Sequence, residues 1–279
     1  AMLLLNLDVE AVMQKAIAEK GANRFLVEML VPFIVGLTLL FLWVKYVHKQ
    51  SLTSLTTSRK KIDWKRIFFA FGLWGALIVV MTGVDIFLSP EDYIWNLKWE
   101  PFLYLLIIAL LLIPIQTSFE EYLFRGYMMQ GIGIMAKNKW VPLAITSVLF
   151  GLMHLGNPEV EKLGPGILVY YIGTGFFLGI LTLMDEGLEL ALGFHAANNT
   201  IAALLVTMEG TAFQVDAIYK NVAEPNLGFD ALLPVFVIFP ILVFVFSKVY
   251  RWADWKEKLT GSIPSKEEFY ALRESGENK

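Results

Sequence analysis

Seven apolar stretches, at about 25–47, 67–88, 101–136, 141–155, 166–184, 190–207 and 231–250, constrain this chain more than any other feature. The hydrocarbon core of a bilayer is about 30 Å thick and takes roughly 20 apolar residues of helix to cross. VPFIVGLTLLFLWV (31–44) and PFLYLLIIALLLIPI (101–115) are of that kind, and charged or Gly/Pro-containing loops separate the runs. Strands of a membrane barrel would alternate apolar and polar residues; these runs are continuous. The expected fold class is therefore all-α, a polytopic membrane helix bundle of about seven transmembrane helices, or about eight if 101–136 divides in two.

Composition agrees. Hydrophobic residues make up 56% of the 279 and charged ones 18%, with a mean hydropathy of +0.58; a soluble domain averages about 45–50% apolar and 25% charged. A net charge of −3 lacks the basic footprint of a nucleic-acid binder, so no such partner is expected. Cysteine is absent, which removes disulfides, thiolate zinc sites, cysteine nucleophiles and lipidated cysteines.

Three parts are expected: an amphipathic, interfacial segment 1–24, one transmembrane bundle 25–250, and a polar cytoplasmic tail 251–279. Leu3, Leu4, Leu7, Val12 and Ile17 would form the apolar face of the first part. Asp8 and Glu10 interrupt it, which is unlike a signal peptide. Lys and Arg crowd into 48–66 and the stretch after 250, whereas Lys98 and Lys220 stand alone in their loops. The positive-inside rule then puts the N-terminus outside and the C-terminus in the cytoplasm, with seven crossings. Only 185–189, which has no basic residue, fails to follow it.

Ionisable residues at membrane depth cost about 2.5–3.5 kcal/mol each and tend to mark function. Glu120, Glu121 and Arg125 sit in the third run, so their uncompensated cost is on the order of 7–10 kcal/mol. Glu121 and Arg125, four apart, can pair along one helical face. Glu120 is rotated from Glu121 by about 100° and must find a different partner. Pro114, which removes a backbone hydrogen bond and bends the helix, opens room near Glu120. His154 ends LAITSVLFGLMH one turn after Phe150, and His195 precedes Asn199 by one turn in LALGFHAANNT. Each needs a polar partner within lipid, and one another, gathered around trapped water, are the nearest supply. His48, in a basic loop, carries no role. Gly175-x-x-x-Gly179 has the spacing of close helix contact within one chain.

Glu120-Glu121-x-x-x-Arg125, Phe150-x-x-x-His154 and His195-x-x-x-Asn199 occur in this order, each in its own apolar segment. Together they resemble the CAAX-processing and bacteriocin-processing (Abi) family of intramembrane proteases, which includes the Ras-converting endopeptidase. The resemblance covers about 101–207, the expected protease core. It implies an intramembrane endopeptidase acting on a membrane-anchored peptide or protein. Glu120 corresponds to the general base that activates water, His154 to the histidine that holds the same water, and His195 and Asn199 to the oxyanion pair. Glu121 and Arg125 would support Glu120, and Phe150 would pack. No cofactor is expected on this reading; the alternative is a zinc ion on Glu120, His154 and His195, although no H-E-x-x-H motif is present. A proton-coupled transporter and a catalytically idle scaffold or immunity protein are the competing functions. The expected setting is the plasma membrane of a prokaryotic cell.

Overall fold

The computed structural model of the chain describes residues 8–224, 227–228, 232–265 and 267–268. Leu3, Leu4 and Leu7, and 266 and 269–279 of the polar tail, lie outside the described residues. A first helix, α1 (Val9–Lys20), starts at Asp8, whose carboxylate accepts the Ala11 N–H at 2.9 Å. Met13 turns inward and is buried, whereas Val12, expected on the apolar face at the interface, is 57% exposed. At 100° per residue the two neighbours face different surroundings.

Seven helical passages follow: α2 (Ala22–Val47), α3 (Trp64–Leu88), α4 (Trp99–Ala136), α5 (Trp140–Gly156), α6 (Pro165–Asp185), α7 (Glu189–Leu205) and α8 (Pro234–Val249). Four of them, α2, α3, α4 and α6, are long and apolar enough to cross a membrane. They match the expected runs within a few residues, because caps and turns end them where the apolar sequence ends. Asp63 caps α3, and the Asn138 side chain accepts the Trp140 and Val141 N–H groups at 2.8 and 3.2 Å to start α5.

Burial runs opposite to that of a water-soluble protein. Val35, Leu39, Phe68, Phe87, Leu103, Ile107 and Phe244 face outward, whereas Gln116, Glu121, Arg125, Asp185, Glu189 and His195 are buried. Outward-facing apolar side chains over several turns suit lipid, where polar groups must be satisfied inside the bundle. The chain is an integral membrane protein. Lipid tails are as apolar as leucine, so helices here associate by close contact and internal hydrogen bonds. A Cβ on Gly193 would lie 2.0 Å from the Ile67 carbonyl oxygen, which shows how closely α3 and α7 approach. A Cβ on Gly175 would lie 2.6 Å from the Ser147 carbonyl oxygen, so the glycine pair of α6 faces α5 of its own chain, as expected. Trp74, Phe177, Phe194 and Phe239 stack between α3, α6, α7 and α8, with centroids 4.6 Å apart for Trp74–Phe194 and 4.4 Å for Phe177–Phe239.

The loops sort into two sets, one at each end of the bundle. At one end the Ser58 N–H donates to the Glu186 carbonyl at 3.0 Å, and Lys139 N–H donates to the Gly261 carbonyl at 3.0 Å. Here too the buried Asp185 carboxylate takes Arg59 at 3.0 Å, Arg66, and the Trp252 indole at 3.1 Å, while Arg59 also meets Glu189 at 3.2 Å. This explains the missing basic residue of 185–189: its counter-charge comes from the 48–66 segment. At the other end β1 (Tyr93–Trp95) pairs antiparallel with β3 (Tyr219–Asn221), and β2 (Val206–Met208) pairs parallel with β3. The Ala212 N–H donates to Glu159 at 3.0 Å, and Lys162 meets Glu10 at 2.9 Å, at this same end. Successive passages therefore alternate in direction.

Candidate active site

The site begins with a flaw in α4. Pro114 has no N–H to donate, and the helix is interrupted at Leu112, between Trp99–Leu111 and Ile113–Glu121. The next turn, Tyr122–Met128, is π-helical, an arrangement often found at functional sites. Between the two irregularities lie Gln116, Glu120 and Glu121. Gln116 Nε2 donates to Glu120 Oε1 one turn on, at 2.6 Å. Arg125 Nη1 donates to Glu121 Oε1 at 2.9 Å, and Nη2 to the Gly175 carbonyl at 3.1 Å. The latter bond ties α4 to α6. The expected ion pair is present, with both side chains fully buried.

α7 brings the second set of groups. His195 Nδ1 lies 2.7 Å from Glu121 Oε1, so the ring hydrogen on Nδ1 donates to that carboxylate. Its Nε2 then faces Glu120 Oε2 at 3.7 Å, too far for a direct hydrogen bond. Glu120 Oε2 is buried and has no hydrogen-bond partner among the described residues. One turn later Asn199 Nδ2 donates to Gln116 Oε1 at 3.1 Å, and its Oδ1 accepts from Asn198 at 3.0 Å. Asn198 Oδ1 in turn accepts the Trp74 indole N–H at 3.1 Å. Glu120, Glu121, Arg125, His195 and Asn199 thus form one connected network.

His154 stands apart from it. Its Nδ1 is 2.8 Å from the Phe150 carbonyl, and its ring stacks on Tyr171 with centroids 4.2 Å apart. The Phe150 ring lies 4.9 Å from the His154 ring and 5.8 Å from the His195 ring, and the Arg125 guanidinium sits 4.3 Å over its centroid. Packing is thus the role of Phe150, as expected, and it packs against all three. His154, His195 and Asn199 line one cavity of about 280 Å³. Glu120 lies behind that wall, linked to it through His195 and through Gln116 to Asn199. On the other side of the network a cavity of about 820 Å³ opens at the basic end and reaches Arg125, with Thr56, Arg59, Met129, Lys139 and Leu188 among its walls.

The zinc trio suggested by the sequence, Glu120, His154 and His195, is not assembled. Phe150 contacts both imidazoles, and among the described residues no three His, Asp or Glu side chains are grouped to hold a metal ion. Gln116 and Asn198 were missed by the sequence reading. Gln116 carried a signal, since it lies four residues before Glu120 on the same face; Asn198 adjoins Asn199 but points to Trp74.

Comparison with known proteins finds a family match over the same segment. Residues 99–201 match the family described as type II CAAX prenyl endopeptidase Rce1-like. This range contains all three motifs, so the resemblance drawn from them stands. The chain is also 28% identical to YyaK, an uncharacterised protein of Bacillus subtilis, over 82% of this chain and 75% of that one. No solved structure matches the chain.

Proposed function

We propose that this protein is an intramembrane endopeptidase in which Glu120 acts on a water molecule. The observation that carries the reading is the buried carboxylate oxygen of Glu120, without a partner among the described residues and 3.7 Å from His195 Nε2, behind a cavity that His154, His195 and Asn199 line. A polar pair at such a separation is suited to sharing a water. Glu120 takes a proton as the water oxygen attacks the peptide carbonyl, then returns it to the departing amine as the C–N bond breaks. Developing charge on the carbonyl oxygen needs N–H donors aimed at it. Asn199 supplies one after releasing Gln116. His195 supplies another only when Nε2 also carries a proton; the Glu121 carboxylate on Nδ1 orients the ring. Arg125 holds Glu121 in place, and His154, oriented by Tyr171, steadies the water from across the cavity.

The Rce1-like match supports CAAX-type proteolysis as the class of reaction. The test is cleavage of a membrane-anchored peptide by the purified protein. Glu120→Ala abolishes cleavage on this reading, and undiminished cleavage overturns it. One observation favours a second reading, proton-coupled transport: the charged network lies between two cavities that open at opposite ends. Glu120-dependent uptake into liposomes, without proteolysis, would reverse the choice.

A further inference from the structure

The histidine cavity has a side. Its floor is His195, ten residues before the end of α7, or about 15 Å of helix. Its upper walls are Asn157 and Glu159 from the α5–α6 loop and Met208, Thr211 and Ala212 from the segment after α7. Both belong to the end of the bundle that carries the small sheet. The opposite end carries the basic residues. Stretches 45–66, 137–139 and 248–258 contain seven, two and four Lys and Arg, whereas the sheet end, with α1 and the start of α2, contains six altogether. The three arginine and tryptophan contacts on Asp185 lock the basic stretches to one face, so this bias is not divided between the two. Retention of Lys and Arg on the cytoplasmic side then orients the whole bundle.

We infer that the candidate catalytic cavity opens on the non-cytoplasmic face, and that its substrate is a membrane-bound peptide or protein segment presented from that side. A lipidated C-terminus displayed in the cytoplasm would meet the wrong end of the bundle: the Arg125 cavity, with the ion network between it and the histidines. The identity of the substrate rests on the peptidase reading, but the side of the cavity does not.

Because the chain has no cysteine, single-cysteine variants report the side directly. Ala212→Cys and Glu161→Cys mark the cavity rim and its loop; Lys60→Cys marks the basic cavity. The full chain is labelled in intact cells with a membrane-impermeant maleimide, and again after permeabilisation. Ala212→Cys and Glu161→Cys are expected to label in intact cells, and Lys60→Cys only after permeabilisation. Labelling of Lys60→Cys in intact cells, or protection of both rim positions until permeabilisation, overturns the inference. Labelling of all three after permeabilisation verifies that each cysteine is accessible. The readout needs no proteolysis, so loss of the peptidase reading leaves it intact, and reversed labelling alongside Glu120-dependent cleavage refutes the side alone.

Discussion

The Glu121–Arg125 pair can be weighed by a double-mutant cycle. If these groups merely ended a helix among headgroups, as exposed pairs do, their interaction would be worth about 0–1 kcal/mol. The structure instead gives a 2.9 Å contact with both side chains at 0% exposure. Removing one member of such a pair strands a buried charge, at about 3–5 kcal/mol. Arg125→Met also removes the donor to the Gly175 carbonyl and the cation over Phe150, itself worth about 2 kcal/mol when desolvated. Glu121→Gln leaves the guanidinium without its counter-charge but keeps an acceptor for His195. Each single variant is therefore expected to lose about 3–5 kcal/mol. The double variant strands no charge, and its loss should fall short of the sum by about 1–3 kcal/mol. Equilibrium unfolding of the four proteins in one micelle system measures this. Additive losses, within about 0.5 kcal/mol, would refute the claim that the pair is buried and coupled.

Two further outcomes test the surroundings of the site. Gly175→Ala forces a Cβ to within 2.6 Å of the Ser147 carbonyl oxygen and 2.9 Å of its Cα, which should cost about 1–3 kcal/mol in the same unfolding assay. Gly72→Ala, with nothing within 4 Å, should instead be neutral or stabilising. At the sheet end, burial and the Asp85 carboxylate that accepts its hydroxyl push the Tyr93 phenol up to about 12 from an ordinary 10. Because the folded value is the higher one, this contact stabilises fully below pH 10 and is lost as pH rises through about 12. A tyrosinate absorbance titration should show a late component that Tyr93→Phe removes.

How much of this was legible in the sequence differs from part to part. The helical passages were, because a bilayer imposes length and apolarity on each one independently of its neighbours. Glu121 and Arg125 were as well, since four-residue spacing fixes their contact within a single helix. The link from His195 to Glu121 was not, because it joins α7 to α4, 74 residues apart, and no local spacing rule reaches that far. The π-helical turn after Glu121 has no spacing rule by which YLFRGYM could announce it. Spacing along the chain was likewise silent on Phe150, whose ring contacts both His154 and His195. In 185–189, a local count of charges missed Arg59 and Arg66, which arrive from more than a hundred residues away.

The two hollows that approach the ion network from opposite ends have an electrical consequence. Where both hold water, the insulating layer of the protein is thinned to the few side chains between Arg125 and His195. Most of the transmembrane voltage then falls across that layer rather than across the full bilayer, and a unit charge carried through it feels about 2.3 kcal/mol for every 100 mV. A proton passed among these groups would sense whether the cell is energised.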